Sequence, residues 1–276
     1  MQSSADELRT AVERHPFWYH VLDLPDGLVT PGWFDLRPAL DRIPIPDVRG
    51  KRCLDIGTHD GFFAFELERR GAAEVVATDI EDHLLWDWPF DARPRGREDL
   101  TGIAFDGHEK GDGFRLAAQA LGSKVKWLPV SVYDLDAAVM GTFDVVVCGS
   151  LLLHLRDPIR ALEAIRGVCT GQFVSSEQIA LWSSLIGFRR PMYRLKGLGP
   201  ECQWWIPNAS GHLHFLRVAG FRAEEVGKPF VVRFAGHPPA PRTWPTAMDA
   251  AGRWAITGTR AAGVLHRAIR ATPGQR

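Results

Sequence analysis

Cysteine is scarce in this chain, and its spacing excludes more than its number does. Cys53, Cys148, Cys169 and Cys202 include no C-x-x-C pair. Neither a thiol metal site nor a disulfide scaffold is expected, and Cys53 and Cys148, in apolar strand-like runs, read as buried free thiols. An excess of either charge is also missing. The 33 Lys and Arg balance 33 Asp and Glu, so no whole-molecule field announces a nucleic-acid partner. No run of about 18 uninterrupted apolar residues occurs, so no membrane span is expected. The start, Met1-Gln2-Ser3-Ser4-Ala5-Asp6-Glu7, lacks the basic region and apolar core of a secretory leader. A cytoplasmic location is the expectation. His212 and His214 are two apart, which on a helix points them in different directions, and no metal is expected.

What is present organises itself around residues 51–67, K-R-C-L-D-I-G-T-H-D-G-F-F-A-F-E-L. Cys53, Leu54 and Ile56 read as the end of a buried strand. Gly57 and Gly61 bracket a tight turn, and Phe62 opens a helix. A second strand, Glu74 to Thr78, ends in Asp79. Strand, glycine turn, helix, strand and terminal acid make the nucleoside-binding half of a doubly wound sheet. Glycine lets a ligand approach the backbone closely, and an acid at that strand end can accept both ribose hydroxyls. The spacing Asp55-x-Gly57-x-x-x-Gly61 is not the dinucleotide G-x-G-x-x-G. A carboxylate before the turn suits a ligand that carries an ammonium group.

This resembles the S-adenosylmethionine-dependent methyltransferases of the Rossmann-like class, whose first motif is D-x-G-x-x-x-G. With the upstream phrase W-Y-H…L-P-D-G…T-P-G-W-F-D, residues 15–225 look like a methyltransferase family related to the tRNA wobble-uridine carboxymethyltransferases. That family's wider membership includes bacterial proteins that look like small-molecule tailoring enzymes. The resemblance implies a seven-stranded Rossmann-like methyltransferase sheet in one domain, with S-adenosylmethionine as methyl donor. Residues 1–49 would form an N-terminal lid or cover, 50–176 the cofactor-binding core and 177–206 an acceptor-side insertion. Residues 207–276 would complete the sheet. The implied cofactor contacts are Asp55, Gly57, Thr58, Gly61, Asp79, Ile80, Ser131, Val132 and Ser150. Ser131 stands where many relatives carry an acid that accepts the adenine amino group.

The rest of the chain fills this frame. Residues 15–35 are too aromatic for a linker and too rich in Pro and Gly for one regular element. They read either as a packed cover or as a lid that turns Tyr19, His20 and Trp33 toward an acceptor. Trp86 or Trp88 either flanks an adenine ring or packs under a loop. The apolar run Phe143 to Cys148 is a buried parallel strand, and His154 lies just beyond it, on the side where ligands bind such sheets. Glu177 follows the next strand. His154 and Glu177 are the candidate base and orienter, His20 is a rival base, and Trp205 a candidate acceptor contact. A structural His154 that only shapes its loop is the alternative. Trp254 to Thr259 reads as the final antiparallel strand. Arg253, Arg260, Arg267, Arg270 and Arg276 accumulate after the last acid, Asp249, as a solvated helix end or as a contact for RNA phosphate.

The expected activity is methylation of a small aromatic acceptor, phenol- or indole-like. The neutral charge balance, the aromatic lid and the Trp-rich insertion carry that expectation. The alternative is a tRNA wobble-uridine enzyme, which the charge balance disfavours. In addition, Leu153 stands before His154 where the carboxymethyl branch carries Tyr. A catalytically idle donor-binding protein is a third reading. Abundant Ala, Arg and Gly with few Lys suits a GC-rich bacterial genome.

Overall fold

The computed structural model describes residues 2–100, 109–187, 189–235 and 244–274. Helix α1 (Gln2–Arg14) comes first. The strands β1 (Phe34–Asp35), β2 (Arg52–Ile56), β3 (Glu74–Asp79) and β4 (Lys126–Pro129) follow, with α2 (Phe62–Arg69) after β2 and α3 (Asp112–Leu121) before β4. Next come α4 (Ala137–Met140), β5 (Phe143–Gly149), α5 (Pro158–Val168) and β6 (Cys169–Gln178). The chain closes with α6 (Leu181–Ile186), β7 (Tyr193–Leu195), β8 (Trp205–Pro207), α7 (Ala209–Val218), β9 (Phe221–Val226), β10 (Phe230–Phe234), α8 (Trp244–Thr257) and β11 (Gly263–Pro273).

The main sheet runs β1-β10-β11-β6-β5-β2-β3-β4, with β9 also on β11. The β4-β3-β2-β5-β6 part is parallel, and β11 joins β6 antiparallel. This is the doubly wound plan expected from the sequence, with nine strands among the described residues rather than seven. The two extra strands have local causes. β9 and β10 lie end to end along β11, broken at Gly227-Lys228-Pro229, where Pro229 has no N–H to give a ladder. β1 is the cover's own contribution to the sheet edge. Two apolar cores flank the sheet. One packs α1, α2, α3 and the cover, the other α5 and α7.

Two sequence expectations fail at the C-terminal end. Trp254 to Thr257 belongs to α8, not to a strand. Ala247, Ala250, Ala251 and Ala255 favour helix at little entropic cost, and Gly258 ends it with φ +74°. The last strand is β11 instead. There Arg267 donates to the Gly227 and Ala209 carbonyls at 3.0 Å, and Arg270 pairs with Glu225 at 3.0 Å. Neither arginine sits on a solvated helix end. Arg276 lies outside the described residues.

Candidate active site

The glycine turn is held from below. Asp55 is 1% exposed, and one of its oxygens accepts from the Thr58 hydroxyl at 2.7 Å and the Ala64 amide at 3.0 Å. Burial pushes its carboxyl up to about 7. It thus ties the turn to the first residues of α2 rather than lining the cavity above. Gly61 has φ +94°, and a Cβ there would drive into the Phe65 and Phe114 rings. Thr58 is likewise buried. Of the expected turn residues, Gly57 alone faces the cavity.

That cavity holds about 460 Å³ over the carboxyl ends of the parallel strands, within the range for small-molecule sites. Asp79, Ile80, Ser131 and Val132 line one end, and Ser150 the middle. Asp79 accepts from the His59 and Ile80 amides at 2.9 and 2.8 Å, and from the Lys110 ammonium at 3.0 Å. Burial pushes the Asp79 carboxyl up, but Lys110 and His59 outweigh it and hold the group below its ordinary range. Lys110, itself 7% exposed, had no place in the sequence reading. Trp86 faces the cavity, while Trp88 is buried and stacks on it at 5.6 Å. The Ser131 hydroxyl accepts from the Tyr133 amide at 3.3 Å, which caps the turn at residues 132–134.

The N-terminal cover closes the top. Asp60, 3% exposed, accepts from the Tyr19 amide at 2.6 Å, the His20 amide at 2.9 Å and the His59 ring at 2.9 Å. One carboxylate therefore fastens the cover to the glycine turn. Burial alone would raise Asp60, yet the His59 ring, the His20 ring and the His20 amide keep it well below the usual carboxylate range. At Gly32 the cover folds so tightly on itself that a Cβ would run into the His20 backbone. Tyr19, His20 and Trp33 all line the cavity. Tyr19 stacks on His59 at 4.8 Å, and Trp33 meets Phe17 edge-on at 5.0 Å. His20 is 8% exposed, its Nδ1 has no hydrogen-bond partner, and burial lowers it to about 4.

The expected His154–Glu177 pair is not assembled. His154 lines the cavity, but its Nδ1 lies 3.0 Å from the Cys202 carbonyl. A carbonyl only accepts, so Nδ1 carries the proton and Nε2 keeps its lone pair. Burial lowers the imidazole from its ordinary value, opposed by the Cys202 carbonyl. Glu177 sits between Ser176 and Gln178, which line the cavity while it does not, as strand alternation dictates. It is 2% exposed, accepts weakly from the Leu151 amide at 3.4 Å, and burial raises it to about 8. Trp205 also stays outside, with its indole N–H on the Arg156 carbonyl at 3.0 Å. From residues 177–206 it is Gln178, Pro200, Glu201, Cys202 and Gln203 that reach the cavity. His59, Ser150 and Cys202 line it with positive φ of 48°, 54° and 48°, and Asp26, at 58°, is the one other such non-glycine among the described residues, so backbone strain is concentrated at the site.

Residues 34–223 match the family model described as "Methyltransferase domain". The chain belongs to this methyltransferase family. The methyltransferase is 29% identical over 118 residues to the ubiquinone biosynthesis O-methyltransferase of Neisseria meningitidis serogroup C (strain 053442). That match covers 43% of this chain and 39% of the relative, so the chain spans about two fifths of that curated protein's length. Among solved structures it resembles the N-terminal domain of EvdMO1 with S-adenosylhomocysteine bound, at TM-score 0.54 and 14% identity over 98% of this chain and 97% of that one. It also resembles the Burkholderia thailandensis 1,6-didemethyltoxoflavin-N1-methyltransferase, at TM-score 0.51 and 16% identity over 87% and 78%. These likenesses are of fold. S-adenosylmethionine, the donor that the sequence resemblance implies, would find in this cavity a Cβ-free turn at Gly57, a carboxylate at Asp79 and the Trp86 ring. Among the described residues no helix is long and apolar enough to cross a membrane.

Proposed function

We propose that this methyltransferase transfers a methyl group to a small aromatic acceptor, phenol- or indole-like, held between the donor and the N-terminal cover. The observation that carries this reading is the composition of the cavity over the parallel strands. Its cover end is walled by Phe17, Tyr19, Trp33 and Phe34, and its one lysine, Lys110, is already paired with Asp79. Among the described lining residues no free cation waits for a phosphate. Apolar walls with a few convergent polar groups suit a neutral ring.

Bound S-adenosylmethionine supplies the electrophilic methyl group. Asp79, Ile80, Ser131 and Val132 would hold its nucleoside part, with Trp86 beside the base. Asp55, Thr58 and Gly61 act one step removed, by fixing the turn. Residues 1–49 act as the lid and 177–206 as the acceptor-side insertion. His154 is the base. The Cys202 carbonyl fixes its tautomer, so Nε2 receives the acceptor's proton. Glu177 in this account shapes the loop at Leu151 rather than orienting the base. His20, whose buried Nδ1 lies 4.0 Å from the Asp60 carboxylate, walls the acceptor space with its ring. The N-terminal aromatic wall and the Cys202 loop together exclude water from a charge-moving step.

The experiment is mass spectrometry after incubation with S-adenosylmethionine and a panel of phenols, indoles and unmodified bulk tRNA. Methyl gain on a phenol or indole, and none on tRNA, is expected. Methyl gain on tRNA alone would replace this reading with the wobble-uridine alternative.

A further inference from the structure

We infer that Ser150 and His266 together recognise an O–H or N–H group of the methyl acceptor other than the one methylated, and that Ser150 belongs to the acceptor end of the cavity rather than to the donor. This rests on the methyl-transfer reading above. The geometry begins with His266, which is 4% exposed and lines the cavity from the start of β11. Its Nδ1 lies 3.1 Å from the Val264 carbonyl, and its Nε2 lies 2.8 Å from the Ser150 hydroxyl oxygen. The carbonyl can only accept, so the proton is on Nδ1 and Nε2 must accept. The Ser150 hydroxyl proton is therefore spent on His266. Toward the cavity Ser150 presents lone pairs alone. It is turned there by a left-handed backbone, φ 54°, pinned by its amide on the Ser176 carbonyl at 2.8 Å. A non-glycine residue held in that conformation is strained, and such strain persists where the surroundings over-determine it.

Position decides which ligand meets those lone pairs. His266 pairs with Gln178, and β11 lies four strand spacings from β3 in the order β3-β2-β5-β6-β11. At about 4.8 Å per spacing, His266 is roughly 19 Å across the sheet from the ribose acid at the end of β3. Its neighbours in the cavity wall are Gln178, Val232, Val264 and Phe34, a mostly apolar surface with few polar groups. An acceptor there that brings a hydrogen-bond donor gains a partner, and one that brings only an acceptor atom meets another lone pair. Burial keeps His266 neutral, with its imidazole pushed down to about 4. The pair thus selects rather than deprotonates, which leaves proton removal to His154.

The test uses the protein loaded with S-adenosylhomocysteine and titrated calorimetrically with 2,6-dihydroxynaphthalene and with 6-methoxy-2-naphthol. These differ at one oxygen, and both keep a hydroxyl for His154. The parent should prefer the diol by about three- to tenfold, the value of one neutral hydrogen bond. Ser150→Ala should abolish the preference, and His266→Phe, which keeps ring volume, should narrow it. Affinity for S-adenosylhomocysteine should be unchanged in both. No preference in the parent overturns the inference. So does an undiminished preference in either folded variant, which is what a merely structural pair would give. So does a loss of S-adenosylhomocysteine affinity in Ser150→Ala, which would return Ser150 to the donor. Failure of the parent to bind S-adenosylhomocysteine would instead defeat the methyl-transfer reading itself.

Discussion

The two ends of the cavity are assembled in different ways. The donor end is local. Gly57, Asp79 and Ile80 lie within 24 consecutive residues, 57–80, of one strand–turn–helix–strand unit, and Ser131 and Val132 follow the next strand. The cover end draws on Tyr19, Trp33, His154, Cys202 and His266, which are spread over most of the chain. One buried carboxylate, Asp60, joins the two, with the cover's amides on one of its oxygens and the His59 ring on the other. The difference teaches where each function can be altered alone. Donor affinity should respond to changes in the local unit, and acceptor handling to changes at dispersed positions.

The largest expected effect lies at the cover end. His154→Ala should slow turnover by about 10²–10⁴-fold, the usual contribution of a general base, with donor affinity retained. Rapid-quench turnover at saturating acceptor, set against a calorimetric donor titration, measures both. A rate within a few-fold of the parent would make transfer here a matter of positioning alone. Next, Asp79→Ala should weaken donor binding by about 1.5–3 kcal/mol, as loss of hydrogen bonds to a charged group does. It would also strand Lys110 without its partner, so Asp79→Asn is the gentler companion. Trp33→Ala should act at the other end. Removing binding area shared by ground and transition states raises the acceptor KM by roughly tenfold or less and leaves kcat alone.

Glu177→Gln should change turnover least, because no hydrogen bond links it to His154 and it lies outside the cavity. Its signature is in stability. Burial raises its carboxyl from 4.5 to about 8 in the folded chain. Between those values the folded state holds a proton that the unfolded state has lost. Stability therefore falls as pH rises through that window. Glu177→Gln should flatten this fall and be the more stable protein at pH 8. Thermal melts across pH 5–8 that keep the parent's slope would show that Glu177 is charged and partnered after all.

The same contrast explains what the sequence disclosed. The parallel strands, the glycine turn and Asp79 could be read because apolar period, turn chemistry and strand end all fall within one short segment. The loop containing His154 followed from the rule that ligands sit beyond the carboxyl ends of strands. The partner of His154 could not be read. It is a backbone carbonyl, at Cys202, and backbone groups leave no mark on composition. Asp60 was visible as an acid inside the turn, but its role depends on a cover fastened from 40 residues away. His266 was hidden by one misassigned element. With Trp254 to Thr259 taken as the last strand, β11 and the direction of its side chains had no place in the reading. Lys110 gave no signal at all, since a single lysine in a loop is ordinarily solvated.

The two-ended cavity is tested most directly by one calorimetric series, S-adenosylhomocysteine titrated into the parent, Asp79→Ala and Trp33→Ala. The account predicts tight binding by the parent, a loss of roughly 10- to 150-fold in Asp79→Ala, and parent-like affinity in Trp33→Ala. Unchanged affinity in a folded Asp79→Ala, or equal losses in both variants, would contradict it.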